Sequence, residues 1–477
     1  MKRKVAIVVP HQDDELIMMG AFADRLVKNS EVYVIFSTNG DYDLQSEENY
    51  RLFEATNALK LLGIRTDNIV FCGYGDNWQG IHIYNSKDDE EKESVCGKRE
   101  TYATVNNSDY HFKKYGRHAL YTRNNYLCDL KDVIRDIRPD LIFCVDCDNH
   151  PDHIATSLLF EEALGEILKE DRDYRPILLK RFLYDGAWFG KSDYYLKRAT
   201  IIGKNPRFKK LQYEIANPYY DKNEVISINT SKYIYAQKME DSLIFKAAKE
   251  YKSQPLYLKM QRVLNTNSLF WWRPTDNLLY NAKISVSSGE KSYLNDFKIL
   301  DCKNVKQDSI DNFCDIGWIP KEDDTEKTIC IQFDREVSVE EIRIYEMLSL
   351  SSHILECELV FNNDIYMQIG KLSLKSRCKR IVLDKKLNGI RQIDFRIVRY
   401  KGKKPGLSEL EVFSEKQKCN IFPWLQGHGN ELGNFKISFV RNFVCAWKYN
   451  ILYLFKFKLY FGWRKIKKIA LRCIKGE

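Results

Sequence analysis

The feature that most constrains the fold is a short apolar run near the start of the chain, Val5 to Val9, which ends in a polar turn. A run of this length between polar residues is typical of a buried parallel strand. The turn contains His11, Asp13 and Asp14, and residues 16–27 behind it have apolar side chains at helical spacing. A strand that passes through such a turn into a helix predicts an open α/β sheet, and ligands bind at the carboxyl edge of sheets of that class.

A second polar cluster follows a later apolar run, Leu141 to Val145, and contains His150, Asp152 and His153. The two clusters hold three imidazoles and three carboxylates, although the whole chain has only 8 histidines. Imidazole nitrogen together with carboxylate oxygen suits zinc, and also iron, cobalt or nickel. Metal-assisted hydrolysis is therefore the predicted chemistry. The alternative is that His11 and Asp14 cap a helix and that His150 and His153 are surface residues. This explains each cluster alone, but it does not explain why two such clusters each follow a strand.

These two motifs resemble the signature of the LmbE-like (PIG-L) zinc N-deacetylases, which remove acetyl from N-acetylglucosamine-type sugars on a Rossmann-like sheet. The family pattern is Pro/Ala-His-Pro-Asp-Asp-Glu followed later by His-Pro-Asp-His, and this chain has Gln12 in place of the first proline. Two further segments, Arg51-x-x-Glu54 and Tyr251-x-Ser253-Gln254, resemble the second and closing helices of the family. The family usually has His where Tyr251 stands.

The resemblance implies a role for each residue of the two main motifs. His11, Asp14 and His153 would hold the metal, which would be zinc, with Fe²⁺ or another divalent ion as alternatives. Asp13 would be the general base. His150 would stabilise the oxyanion or protonate the leaving amine, and Asp152 would orient His150. The expected substrate-binding residues are Arg51, Asp76 and Trp188, and a core role remains an alternative for Trp188.

Strands and helices alternate through the first half of the chain. The predicted fold class of residues 1–265 is therefore α/β, a Rossmann-like, mostly parallel sheet with helices on both faces. A dinucleotide-binding domain is disfavoured because no GxGxxG follows a predicted strand. Between Ile81 and Tyr121 the chain is polar and is expected to be a solvated loop, with a lid over the site as the alternative. His111 and His118 in this segment are expected at the surface.

The pattern changes in the second half to short alternating strands without helices between them. We expect a linker over 266–277 and an all-β sandwich over 278–416. The stretches Val337 to Tyr345 and Gly406 to Val412 resemble discoidin-type, galactose-binding-like jelly rolls. The resemblance implies a glycan as a partner of this domain, and a structural or oligomerisation module is the alternative.

The end of the chain is basic and aromatic. After an expected linker over 417–433, the segment 434–477 carries eleven Lys or Arg residues against one acid, a charge of +10, which leaves −1 for the rest of a chain with net charge +9. Aromatic side chains recur every four residues from Phe435 to Trp447, as one face of a helix requires. A basic amphipathic helical tail of this kind predicts binding to an anionic membrane surface, and no nucleic acid is expected as a partner.

The sequence as a whole predicts a cytoplasmic protein that is peripheral at the inner face of a membrane. Several cysteines lie in or beside apolar runs, which is typical of reduced, buried thiols. No stretch reads as a signal peptide or as a membrane span. The expected function is metal-dependent removal of acetyl from an acetamido sugar that is linked to a lipid or a glycan. The alternative is a carbohydrate-binding or membrane-peripheral scaffold whose hydrolase domain is inactive.

Overall fold

The structure is a computed structural model. It describes residues 2–42, 50–76, 83–103, 108–148, 150–184, 188–189, 201–202, 225–231, 241–263, 267–305, 310–372 and 378–427, and the single residues 451, 455, 459 and 462. Within this described part, no helix combines the length and the apolar character that crossing a membrane requires. The predicted tail, 434–477, therefore lies outside the described residues except at those four positions.

The first half of the chain forms one mixed sheet with helices packed around it. Its strands are β1 (Arg3–Val9), β2 (Ser30–Thr38), β3 (Ile69–Tyr74), β4 (Leu141–Val145), β5 (Ile177–Arg181), β8 (Val225–Asn229) and β9 (Asn267–Arg273), and a small hairpin joins β6 (Trp188–Phe189) to β7 (Ile201–Ile202). The helices are α1 (Asp14–Met19), α2 (Ala23–Asn29), α3 (Tyr50–Leu61), α4 (Tyr110–Tyr115), α5 (Arg123–Ile137), α6 (Pro151–Glu170), α7 (Leu243–Glu250) and α8 (Met260–Val263).

The strand order of this sheet is β3-β2-β1-β4-β5-β9-β8 among the described residues. The first five strands of this order are parallel to one another. Strand β9 pairs antiparallel with β5, and β8 pairs antiparallel with β9 at the edge of the sheet. This confirms the predicted Rossmann-like, mostly parallel sheet. The chain leaves β1 towards β2 on one side, whereas β4 lies on the other side of β1, paired with it from Val5↔Leu141 to Val8↔Cys144. The order of the strands reverses at that point, which is where doubly wound sheets bind ligands.

Strand β9 overturns part of the predicted linker over 266–277. Every residue of β9 is buried, and the strand pairs with β5 through Leu178↔Arg273 and with β8 through Val225↔Trp271. The physical reason is the apolar run Leu269 to Trp272, which completes the hydrophobic core of the first domain. The first domain therefore ends after residue 273.

The second half forms the predicted antiparallel β sandwich. Its strands are β10 (Ala282–Val286), β11 (Thr328–Glu346), β12 (His353–Phe361), β13 (Ile365–Ile369), β14 (Cys378–Lys401) and β15 (Leu407–Phe413). The long strands β11 and β14 run through both layers: the first part of β11 pairs with β10 and the end of β14, and its last part pairs with β15 and the start of β14. Register shifts between Gln332 and Glu341 bend β11 from one layer into the other.

Each domain has a hydrophobic core of its own, and segments that flank the sandwich strands pack against the core of the first domain. Phe297 and Val305, which precede β11, are fully buried in the same apolar cluster as the first sheet. The chain returns to the first domain after β15, where Ile421 and Leu425 join that cluster beside the short helix α9 (Pro423–Gln426). The predicted linker over 417–433 is therefore a packed segment at least as far as residue 427.

Candidate metal centre

The two polar clusters meet at the switch point of the first sheet. His11 follows β1, and His150 and His153 flank the start of α6 after β4. The ring centroids lie 4.5 Å apart for His11 and His150, 5.4 Å for His11 and His153, and 4.8 Å for His150 and His153. All three histidines are buried. The structure thus brings together the three histidines that the sequence singled out.

Asp14 and two further carboxylates organise these rings. One oxygen of Asp14, Oδ2, lies 3.1 Å from Nδ1 of His11 and 3.2 Å from Nε2 of His153. The other nitrogen of each ring faces a second buried carboxylate: His11 Nε2 is 3.2 Å from Asp152 Oδ2, and His153 Nδ1 is 2.7 Å from Asp148 Oδ2. Histidines that hold metals in proteins are oriented in this way by a carboxylate on the far side of the ring.

The cluster fits a divalent metal. Nε2 of His153 is buried and makes no hydrogen bond within the described residues, although Asp14 Oδ2 is only 3.2 Å away. An imidazole nitrogen and a carboxylate oxygen that face each other in this manner are two ligands for a cation. Two sets of described residues have ligand atoms that all lie within 4.8 Å of one another, the three histidines and the group of His11, Asp76 and Asp152, and neither includes Asp14. We prefer the set of His11, Asp14 and His153 because one Asp14 oxygen contacts both rings.

The electrostatics of the cluster favour positive charge. Burial alone would lower the pKa of His153, but Asp148 and Asp14 together raise that pKa to about 9. Burial also opposes the charged form of His11, and the carboxylates of Asp14 and Asp152 nevertheless raise its pKa well above the usual value. Burial would raise the pKa of Asp14, but the two imidazoles hold it well below its usual range. A metal that binds here must displace protons from the histidines.

Asp13 occupies the strained position of the first motif. Its backbone φ is +125°, a conformation that a residue with a side chain rarely adopts, at a cost of about 1–3 kcal/mol. Its carboxylate is largely buried and lies 3.8 Å from the guanidinium of Arg51. The residue next to it, Asp14, begins α1 and faces the histidines. The strained turn therefore presents two successive carboxylates, of which Asp14 alone bridges the two rings.

His150 has a defined tautomer. Its Nδ1 accepts a hydrogen bond from the backbone N–H of Asp152 at 3.1 Å and caps the N-terminus of α6. In the neutral ring the proton is therefore on Nε2. Burial, together with His11 and His153, lowers the pKa of His150 well below its usual value, so the ring is neutral near pH 7.

Asp152 contacts two of the three histidines. The sequence predicts that its carboxylate orients His150, and Oδ2 lies 3.7 Å from His150 Nδ1 and 3.2 Å from His11 Nε2. The backbone N–H of Asp152 also donates to His150 Nδ1. The carboxylate is thus closer to His11 than to His150, and its role in orienting His150 stays a prediction.

The structure describes the side chains of two of the three expected substrate-binding residues. Arg51 donates to the carbonyl oxygens of Gln12 and Gly40, each at 2.9 Å, so its guanidinium engages the backbone of two loops. Asp76 lies in the site: its Oδ2 is 3.6 Å from His11 Nε2, and burial and the neighbouring Asp152 raise its pKa to about 8. The side chain of Trp188 lies outside the described residues.

Other residues of the site carried weaker sequence signals. Asp148 was not predicted, although it stands three residues after the end of β4 and two before His150, a position that favours a supporting carboxylate. Glu15 and Tyr251 are fully buried beside the first motif, and their hydroxyl–carboxylate contact is invisible in the sequence because 236 positions separate them. His111, expected at the surface, is buried, with Nδ1 2.7 Å from Asp129 Oδ1.

Comparisons with known proteins agree with this geometry. Residues 6–164 match the profile of the family described as PIG-L, GlcNAc-PI de-N-acetylase, a range that contains both motifs. The resemblance predicted from the sequence is thereby confirmed for this part of the chain, and it supports a deacetylase of the N-acetylglucosamine class. No curated protein sequence matches the chain.

Solved structures with similar regions include enzymes and sugar-binding modules. The N,N'-diacetylchitobiose deacetylase from Pyrococcus horikoshii is 16% identical, over 57% of this chain and 84% of its own, with a TM-score of 0.32. The family 32 carbohydrate-binding module of Clostridium perfringens NanJ is 17% identical, over 28% of this chain and 95% of its own, with a TM-score of 0.23. The fucose-binding module SpX-3 of Streptococcus pneumoniae is 18% identical, over 29% and 98% of the two chains, with a TM-score of 0.23.

Proposed function

We propose that the protein is a metal-dependent hydrolase that removes the N-acetyl group from an N-acetylated amino sugar of the GlcNAc type, linked to a lipid or a glycan, and releases acetate. The observation that carries this proposal is the position of Asp14 between His11 and His153, with a second carboxylate, Asp13, in the preceding position of the same strained turn. The family match over residues 6–164 supports the substrate class.

The residues divide the chemistry among them. His11, Asp14 and His153 would hold the metal, and the bound ion, zinc, iron or another divalent metal, would supply a Lewis acid that makes water more acidic and polarises the acetyl carbonyl. Asp13 accepts the proton of the attacking water as general base. His150 is neutral and carries its proton on Nε2, so it donates a hydrogen bond to the carbonyl oxygen as that oxygen becomes an oxyanion.

The final step returns a proton to the sugar nitrogen. When the bond between the carbonyl carbon and nitrogen breaks, the amine needs the proton that Asp13 took from water. His150 is a poor donor for this step because its lowered pKa leaves it neutral. The products are acetate and the free amino sugar, and the atoms and charges of the hydrolysis balance.

An acetate-release screen tests the proposal. The purified full-length chain is incubated with added Zn²⁺ or Fe²⁺ and with nucleotide-linked, lipid-linked and free N-acetyl sugars. We expect acetate from at least one class, and we expect Asp13→Asn to lower kcat by about 10²–10⁴-fold while metal content holds, since that substitution removes the proton acceptor. Glycan binding by a metal-loaded protein that releases no acetate from any class would favour the scaffold alternative instead.

We also propose that the protein works in the cytoplasm at the inner face of an anionic membrane, and that the sandwich binds a glycan. The support for the membrane is the charge of +10 and the aromatic spacing of 434–477. Each Lys or Arg near an anionic surface contributes on the order of 1 kcal/mol. Co-sedimentation with anionic vesicles is expected for the full-length chain and not for a chain that ends at Gly433. Equal pelleting of the two would exclude the tail as the anchor.

A further inference from the structure

Two sequence motifs have no part in the metal centre, yet they meet in the structure. Arg51 and Glu54 lie on α3, and Tyr251 and Ser253 follow α7, about 200 positions later in the chain. The backbone N–H of Ser253 donates to Glu54 Oε1 at 2.9 Å, and the Ser253 hydroxyl donates to Glu54 Oε2 at 2.5 Å. The end of α7 is thereby fixed to α3, and the two motifs act as one structural unit.

From this unit, Tyr251 reaches the turn that carries Asp13. The Tyr251 hydroxyl donates to Glu15 Oε1, and the other oxygen of Glu15, Oε2, accepts a hydrogen bond from the backbone N–H of Asp13 at 3.0 Å. Tyr251 and Glu15 are both 0% exposed, so water does not compete for these bonds. The hydrogen bond that orients Asp13 therefore depends on Glu15 of α1, which Tyr251 at the end of α7 holds in place.

Arg51 reaches the same turn from the other side. Its Nη2 donates to the carbonyl oxygen of Gln12 at 2.9 Å, and its Nη1 donates to the carbonyl oxygen of Gly40 at 2.9 Å. The Gln12 side chain adds a bond of 2.8 Å from Nε2 to the carbonyl oxygen of Thr38. Position 40 favours glycine, because φ is +59° and a Cβ would lie 2.6 Å from Gln12 Oε1 and 2.7 Å from the guanidinium of Arg51.

These contacts converge on a single peptide group. The carbonyl oxygen of Gln12 and the N–H of Asp13 belong to the same planar peptide unit, which is held at one end by Arg51 and at the other by Glu15. The orientation of that plane sets φ of Asp13, which is +125°. A strained angle of this kind persists only where the surroundings over-determine it.

We propose that Arg51, Glu15 and Tyr251 form a clamp that holds the peptide between Gln12 and Asp13 and thereby aims the Asp13 carboxylate at the reacting water. The three are positioning residues of the first motif, and Arg51 acts through the backbone rather than on the sugar. The proposal rests on the proposed function in one respect, the role of Asp13 as general base. In this clamp, the residue at position 251 must donate a hydrogen bond to Glu15, as the Tyr251 hydroxyl does.

The central experiment compares two buried tyrosines in the full-length protein. Tyr251→Phe removes the hydroxyl of the clamp, and Tyr345→Phe is the matched control, because the Tyr345 hydroxyl donates to another buried glutamate, Glu411, at 3.0 Å in the sandwich. Hydrogen exchange of a peptide that spans residues 10–16 is followed by mass spectrometry. We expect about tenfold faster exchange of the Asp13 amide in Tyr251→Phe and no change in the control. Equal exchange in the two variants would overturn the clamp.

Kinetics then test positioning against a merely structural role. With the metal-loaded enzyme, Tyr251→Phe is expected to lower kcat about tenfold with KM and metal content unchanged, whereas Tyr345→Phe changes neither constant. Tyr251→His restores a donor and should recover most of kcat. Arg51→Lys, which reaches one carbonyl rather than two, should also lower kcat. A rise in KM alone for Arg51→Lys would instead make Arg51 a substrate ligand and remove it from the clamp.

The two arms separate failure of the clamp from failure of the proposed function. Hydrogen exchange needs no substrate, so it tests the clamp even in a chain that releases no acetate. If Tyr251→Phe speeds exchange and the wild type is inactive on every sugar, the proposed function fails and the clamp stands. If Tyr251→Phe is too unstable to study, Glu15→Gln against Glu15→Ala repeats the comparison, since Gln keeps an acceptor for the Asp13 N–H and Ala does not.

Discussion

Buried charges occur in two regions of the molecule, and their balance differs. At the carboxyl edge of the first sheet, the carboxylates of Asp14, Asp148 and Asp152 contact histidines, whose charge depends on pH. At the boundary between the domains, Arg273 donates to Glu411 from Nε at 3.1 Å and from Nη2 at 2.9 Å, with both side chains fully buried. In the first cluster these carboxylates contact imidazoles, whereas in the second the carboxylate contacts a guanidinium.

The difference teaches how to separate a binding site from a structural ion pair. A carboxylate that meets a guanidinium or an ammonium group within the chain is already satisfied, as the partly buried Glu162 is by Arg123 at 2.6 Å and by Lys298 at 3.0 Å. This ion-pair network also crosses the boundary, because Lys298 lies between β10 and β11 of the sandwich. Carboxylates that meet imidazoles instead leave room for an external cation.

The largest effect is expected from a truncation that removes the whole sandwich and with it the boundary between the domains. The linker expected over 266–277 would make the first domain separable, so that a chain ending near Asn277 would keep its metal. The structure predicts the opposite, because such a chain loses Phe297, Val305, Ile421 and Leu425 from the core of the first domain. We expect it to be insoluble or unfolded, measured by circular dichroism and elemental analysis. A soluble, metal-loaded product with a cooperative unfolding transition would show that the first domain folds without these residues.

The next effect removes the central carboxylate of the metal centre. Asp14→Ala should eliminate bound metal and lower activity by more than about 10⁴-fold, because both rings lose their common partner and the general base loses its activated water. The chain should stay folded, since the neighbours of the site are core strands. Elemental analysis and thermal unfolding check this. Metal content equal to that of the wild type would exclude Asp14 as a ligand.

At the boundary, one substitution should affect stability without affecting metal. Glu411→Ala leaves the Arg273 guanidinium buried without its main partner, and we expect a loss of about 3–5 kcal/mol in the free energy of unfolding. The double variant Arg273→Met with Glu411→Leu should recover much of this loss, because it removes both buried charges. Urea unfolding and metal analysis are the measurements. A loss of metal in Glu411→Ala would mean that the two charge clusters are coupled.

The sequence predicted the first cluster well and the second poorly, for physical reasons. The strand, the polar turn and the helix of each motif are adjacent in the chain, so local pattern was enough to place His11 and His153 at one edge. Strand β15 alternates Glu409, Leu410 and Glu411, which predicts one solvated face, yet all its residues are buried. The first domain covers that face, and no local pattern carries this information.

Strand β9 and the clamp are two further features that local sequence pattern does not predict. The apolar residues of β9 join the first sheet only after an excursion of more than 80 positions from β5, and such an antiparallel addition has no periodic signal in the chain. The sequence did single out Arg51 and Tyr251 as parts of motifs, but their shared target became visible only from the hydrogen bonds to Gln12 and Glu15. Motif spacing located these residues, and tertiary geometry gave them a role.

The smallest effect is the part of the dependence of stability on pH that the histidines of the metal centre contribute. In the metal-free protein the pKa of His153 is about 9, because Asp148 and Asp14 outweigh the effect of burial, whereas an unfolded histidine has a pKa of about 6.5. A pKa that is raised on folding stabilises the protein fully below about pH 6.5, and this contribution is lost as the pH rises through 9. The lowered pKa of Asp14 contributes stability that is lost only as the pH falls into the acidic range, so it does not oppose the trend.

We therefore expect the free energy of unfolding of the chelator-treated protein to fall between pH 6.5 and pH 9, and the fall to shrink or reverse when Zn²⁺ is present, because the metal competes with protons for the rings. Asp14→Ala should flatten the trend by removing one carboxylate that raises the pKa of His153. Glu411→Ala should keep the part of the trend that His153 causes, since this substitution leaves His153, Asp14 and Asp148 in place. Urea unfolding at several pH values measures all three proteins. A trend in Asp14→Ala as steep as in the wild type would place the titrating group outside the metal centre.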